Sequence, residues 1–83
     1  MNLFNAPDLG NYYLVCTSGG LQGKFLCTKV MEGLHYEFTS QDHGCLEVNA
    51  NTWEVSRITI TAGNVRHVKP LGIVTGLYLA EGR

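Results

Sequence analysis

The sequence predicts a small all-β domain, an antiparallel barrel or curled sheet of five to six strands of the SH3-like or OB-like kind. Three observations carry that expectation. Glycines at Gly19, Gly20, Gly23, Gly33, Gly44, Gly63, Gly72 and Gly76 cut the chain into apolar stretches of strand length, shorter than the roughly 12 residues an isolated helix needs. Those stretches are rich in β-branched and aromatic residues and poor in the helix formers Ala and Glu. The links between them are also short, and a parallel pair would need a crossover of about a dozen residues, so neighbouring strands must run antiparallel. Closing the sheet removes edges that would otherwise recruit other chains.

In chain order, residues 1–10 contain Pro7 and end at Gly10, which reads as an N-terminal arm. Residues 11–83 form a single domain, because a chain of 83 residues can enclose only one modest core. The predicted strands are 12–17, 24–31, 34–39, 45–48, 55–61 and 73–79. The clearest alternation puts Leu34, Tyr36 and Phe38 on one face and His35, Glu37 and Thr39 on the other. In the same way Ile58 and Ile60 oppose Arg57, Thr59 and Thr61. Ile73, Leu77 and Leu79 oppose Val74 and Tyr78, a second face that is itself apolar and suits a central strand or a contact between copies.

The segment from Val15 to Val30, with Gly19, Gly23 and Lys24, resembles the KOW motif of SH3-like barrels in ribosomal and transcription-elongation proteins. There a strand passes through a glycine-bearing loop into a second strand. Leu26 and Thr28 stand where the pattern has a third glycine and a valine. The resemblance implies a barrel-forming hairpin at this place. A glycine-rich turn alone has the same composition, since glycine supplies the positive φ such turns demand.

Charge and cysteine content narrow the functional classes. Six basic and seven acidic residues are interleaved for a net charge of −1, which gives no electrostatic footprint for duplex nucleic acid. The densest basic cluster, Arg66, His67 and Lys69, reads as a solvated strand edge. Three cysteines cannot all pair within one chain, and no basic-then-apolar leader or span of about 18 apolar residues is present. A cytoplasmic protein with reduced thiols, not engaging a membrane, is expected.

No metal or other cofactor is expected, because Cys16, Cys27, Cys45, His35, His43 and His67 include no C-x-x-C-like pair. His43-Gly44-Cys45 comes nearest, and reads as a polar hairpin tip followed by a buried cysteine. As a catalytic thiol and base the same two residues lack an orienting third group, and no nucleophile elbow, phosphate loop or zinc-protease motif occurs. An enzyme is not expected. Aromatic side chains are the stronger signal. Phe25, Tyr36 and Phe38 are expected to fill the core, and of the adjacent Tyr12 and Tyr13 one must face away from it. Tyr13, Trp53 and Tyr78 are the candidate contact residues, with Trp53, after a turn-like stretch, either an exposed contact or a lid on the barrel end, and with Arg66, His67 and Lys69 as a polar rim. The function expected is a small protein-binding module, an adaptor or inhibitor of the phage or mobile-element type. One alternative is a single-strand nucleic-acid binder stacking bases on the aromatic face, with Lys24 and the Arg66–Lys69 cluster on phosphates. Another is a structural subunit forming homo-oligomers through the face around Val74 and Tyr78.

Overall fold

The computed structural model describes residues 4–59 and 72–82, and the class is all-β. Six strands follow one another: β1 (Tyr12–Thr17), β2 (Gln22–Met31), β3 (His35–Ser40), β4 (Gly44–Asn49), β5 (Val55–Thr59) and β6 (Val74–Glu81). All pairings are antiparallel, in the sheet order β5-β4-β3-β2-β1-β6. The first five strands are a meander, and β6 returns to lie beside β1. The sheet curls until its two ends meet at the entries to β5 and β6. There Glu54 and Ile73 form an isolated bridge, the Val55 amide donates to the Gly72 carbonyl at 2.9 Å, and the Val74 amide donates to the Trp53 carbonyl at 2.8 Å.

Alternation assigns the faces. On β1 Tyr13, Val15 and Thr17 point inward, and their partners on β2 are Phe25 and Gly23 across from Tyr13 and Val15. Val15, Phe25, Phe38, Leu46, Val48 and Val74 are wholly removed from solvent. Tyr36 and Phe38 are buried as the sequence predicts, whereas Leu34 is 59% exposed. The strand begins one residue later, and Leu34 belongs to the preceding turn, closed by its own amide on the Met31 carbonyl and by Gly33 at φ 74°.

Two strands depart from strict alternation through bulges, which insert an unpaired residue and reverse the parity beyond it. In β2 the register jumps between Cys27 and Lys29, so Val30 packs on the core while Thr28 and Lys29 are exposed. In β6 it jumps between Val74, opposite Thr17, and Gly76, opposite Cys16. Val74 is thereby buried, Leu77 packs against the core, and Ile73 is 40% exposed. The predicted division of Ile73, Leu77 and Leu79 against Val74 and Tyr78 fails at this bulge.

The loop between β4 and β5 delivers Trp53 into the core. Asn49 Oδ1 accepts the amides of Asn51 and Thr52 at 2.8 and 2.9 Å, and the Trp53 amide donates to the Asn49 carbonyl at 2.9 Å. Trp53 takes φ 60°, a left-handed conformation that costs a bulky L-residue about 1–3 kcal/mol. Its indole is fully buried, 5.3 Å from the Tyr36 ring and 5.2 Å from the Phe4 ring, which meets it edge-on. Its Nε1 has no hydrogen-bond partner among the described residues.

The arm is strapped onto this end of the sheet. Besides Phe4 on Trp53, Pro7 is buried, the Asp8 amide donates to the Tyr13 hydroxyl at 2.8 Å, and the Gly10 amide donates to the Cys27 carbonyl at 2.9 Å.

Removing the indole by Trp53→Ala is expected to cost about 3–5 kcal/mol in urea unfolding. Because the backbone there is left-handed, Trp53→Gly should be the more stable of the two by about 1 kcal/mol, the reverse of the usual order within an ordered element. Equal stabilities, or a lower one for the glycine variant, would contradict this account of the loop.

Candidate functional site

The outward residues of β1 are Tyr12, Leu14 and Cys16, since their neighbours Tyr13, Val15 and Thr17 are in the core. The register sets Leu26 beside Tyr12 and Lys24 beside Leu14 on β2, and Glu81 beside Tyr12 and Tyr78 beside Leu14 on β6. Three adjacent strands therefore present Tyr12, Leu14, Lys24, Leu26 and Tyr78 on one outer face. Lys24 reaches over β1: its Nζ is 4.9 Å from the Tyr12 ring centroid and 3.0 Å from Glu81 Oε2. The ion pair is exposed and worth no more than ~1 kcal/mol, but it places the ammonium over the ring face. Tyr78 is 60% exposed, and its ring lies back over Gly76, where an added Cβ would come within 2.8 Å of it. A shallow groove of about 650 Å³, bordered by Tyr12, Lys24, Leu26, Thr39, Asp42 and Glu81, continues this face.

The residues expected at the site are divided by the fold. Lys24 and Tyr78 come together on the outer face. Tyr13 and Trp53 are corrected to the core: Tyr13 is 8% exposed, edge-on to Phe38 at 6.1 Å, with its hydroxyl accepting from Asp8. Trp53 is 0% exposed. Val74, expected with Tyr78 on one outer face, is also core. Arg66, His67 and Lys69 lie outside the described residues. Leu14 and Glu81 were not singled out by sequence, and Tyr12 entered only as one of two adjacent tyrosines of which one must face outward. Leu14-Val15 and Cys16-Thr17 offer similar side chains to both faces of β1, so the sequence carried no signal as to which tyrosine turns outward.

A second, polar part of the outer face lies across β2, β3 and β4. Glu37 stands directly opposite Glu47, an arrangement of like charges that weakens a sheet unless it is compensated. Compensation comes from Lys29 Nζ, 3.7 Å from Glu37 Oε2, while His35 Nδ1 lies 3.7 Å from Glu47 Oε1. The Cys45 thiol donates to Glu37 Oε1 at 3.4 Å. Burial pushes this thiol's pKa up, and the Glu37 and Glu47 carboxylates add to the rise against an opposing hydrogen bond from Thr39. Burial likewise pushes up the Cys27 thiol and the Tyr36 phenol.

His43 does not join Cys45. It sits in the turn before β4, stacked on Phe25 with ring centroids 5.6 Å apart, and its imidazole lies 2.9 Å from where a Cβ on Gly23 would stand. The glycine of the β1–β2 hairpin is thus the seat of this ring. Among the described residues, no three His, Cys, Asp or Glu side chains converge as a metal site requires. No helix among them is long and apolar enough to cross a membrane.

Comparison with protein-family models, curated proteins and solved structures finds no match.

The chemistry of Cys45 is set by its carboxylate neighbour. Glu37→Gln removes the charge that disfavours the thiolate, so the thiol pKa should fall and iodoacetamide labelling of Cys45 at neutral pH should accelerate several-fold, read by mass spectrometry of the Cys45 peptide. An unchanged rate would show that burial alone governs this thiol. Folding linkage follows the same signs. Cys27, Cys45 and Tyr36 hold their protons more tightly when folded, so the unfolded chain loses protons first as pH rises past ~8.5. The urea midpoint should therefore fall between about pH 8 and about pH 10, and a flat midpoint would refute the shifts.

Proposed function

We propose that this chain is a protein-binding module whose contact surface is the outer face of β6, β1 and β2. The observation that carries the reading is the pair of outward tyrosines, Tyr12 and Tyr78, held on adjacent strands with Leu14 and Leu26 around them. Tyrosines on a rigid sheet offer large contact areas with little side-chain entropy to lose, and they recur among residues that dominate protein interfaces. A module of this size acts by occupying or redirecting its partner, as an adaptor or inhibitor of the phage or mobile-element type. The three free thiols suit a reducing cytoplasm.

Charge favours a protein over a nucleic acid as that partner. Lys24 is already engaged by Glu81, and the net charge of the chain is −1. The described part of the outer face also carries Glu37, Glu47 and Asp42, which repel a phosphate backbone.

Tyr12→Ala and Tyr78→Ala should each weaken capture of a stoichiometric partner from host lysate by about 30-fold or more, the scale of an interface hot spot. Thermal unfolding should change little, because both side chains are largely outside the core. A wild-type chain that retains no stoichiometric partner, or variants that retain it equally well, would defeat the proposal. Salt-sensitive binding of a single-stranded oligonucleotide that both substitutions abolish would transfer the same face to nucleic acid.

A further inference from the structure

β6 is the terminal strand of the sheet, bonded to β1 along one side. Its other side is met by the Trp53 carbonyl at Val74, and beyond Val74 no backbone partner for it occurs among the described residues. On β1, the Thr17 amide bonds towards β2 and the Ser18 amide towards the segment entering β6. Antiparallel alternation then commits Gly76 and Tyr78 to β1 and turns the N–H and C=O groups of Leu77 and Leu79 towards the other edge. Such edges are normally guarded by lysine, proline or an inward charge. Here the run from Thr75 to Ala80 carries none, and Tyr78 and Leu79 are 60% and 62% exposed on its two faces.

The same run is nearly palindromic. Gly76-Leu77-Tyr78-Leu79-Ala80 reads small, Leu, Tyr, Leu, small from either end. We propose that the β6 edge pairs antiparallel with the β6 edge of a second copy, about a two-fold axis through Tyr78. In that register Leu77 meets Leu79 of the other copy, in the pairs that exchange hydrogen bonds. The two Tyr78 residues face each other as the closer, non-bonded pair. Charge placement selects this orientation: antiparallel pairing sets Glu81 opposite Thr75 of the other copy, whereas parallel pairing would set Glu81 against Glu81. The register jumps at Thr75 and Ala80 confine the pairing to the regular stretch between them. Joining two copies here also makes one continuous outer sheet from two tyrosine faces, so a partner with two sites would gain from avidity.

Sedimentation equilibrium at micromolar to submillimolar concentration should give twice the 9.1 kDa chain mass. Leu79→Lys, which places a charge on the edge at an exposed position, should restore the single-chain mass, while Leu34→Lys in the distant β2–β3 turn should leave the dimer intact. In the wild type, amide exchange at Leu77 and Leu79 should slow with rising protein concentration, while Gly76 and Tyr78 stay protected throughout by β1. A wild-type chain that remains single, a dimer that survives Leu79→Lys, or Leu77 and Leu79 amides indifferent to concentration would each overturn the proposal. This result is separate from partner capture, because Tyr12→Ala should weaken capture and leave the mass unchanged.

Discussion

The burial of Trp53 is the constraint on which the rest of the molecule depends. One residue in a left-handed conformation places its indole between Phe4 of the arm and Tyr36 of β3, while its carbonyl receives the Val74 amide at the start of β6. It therefore joins the N-terminal arm, the middle of the sheet and the seam where the sheet's ends meet. The backbone cost of φ 60° is borne because the indole removes far more apolar surface from water than the strain takes back. The Asn49 side chain makes the conformation affordable locally by satisfying the two amides that the tight turn would leave unpaired.

How much of this was legible in the sequence depends on parity. Tyr36 and Phe38 alternate with charged and polar residues, so their inward face could be read directly. Strand class and strand number were equally legible from glycine spacing. The bulges in β2 and β6 were not, because a bulge is a decision made between paired strands and leaves little local trace in one of them. One extra residue at Thr75 sends Val74 inward and leaves Ile73 out. The same weakness misplaced the site. Tyr12 and Tyr13 are identical in chemistry and opposite in fate, and only the pairing of β1 with both its neighbours separates them. Trp53 misled for another reason: a tryptophan in a polar loop has the composition of an exposed contact, while the backbone turns it inward.

The outer surface is divided by chemistry along the sheet. Around β1 it is tyrosine and leucine with one engaged lysine. Around β3 and β4 it is a carboxylate pair with Lys29 beside Glu37 and the His35 ring beside Glu47, and the Cys45 thiol is tied to Glu37. The polar half engages Glu37 with Lys29 and keeps its thiol protonated, so it contributes solvation and little reactivity. The apolar half is the part with unspent contact energy.

The sole tryptophan of the chain lies beneath the arm and away from the tyrosine face. Its fluorescence is consequently an internal gauge of arm docking. Emission should be that of an indole shielded from water as long as Phe4 stays on the ring, and it should be indifferent to whatever settles on Tyr12 and Tyr78. A red shift would report the strap lifting from the end of the sheet, so the protein carries a native optical probe that separates opening of its core from occupation of its surface.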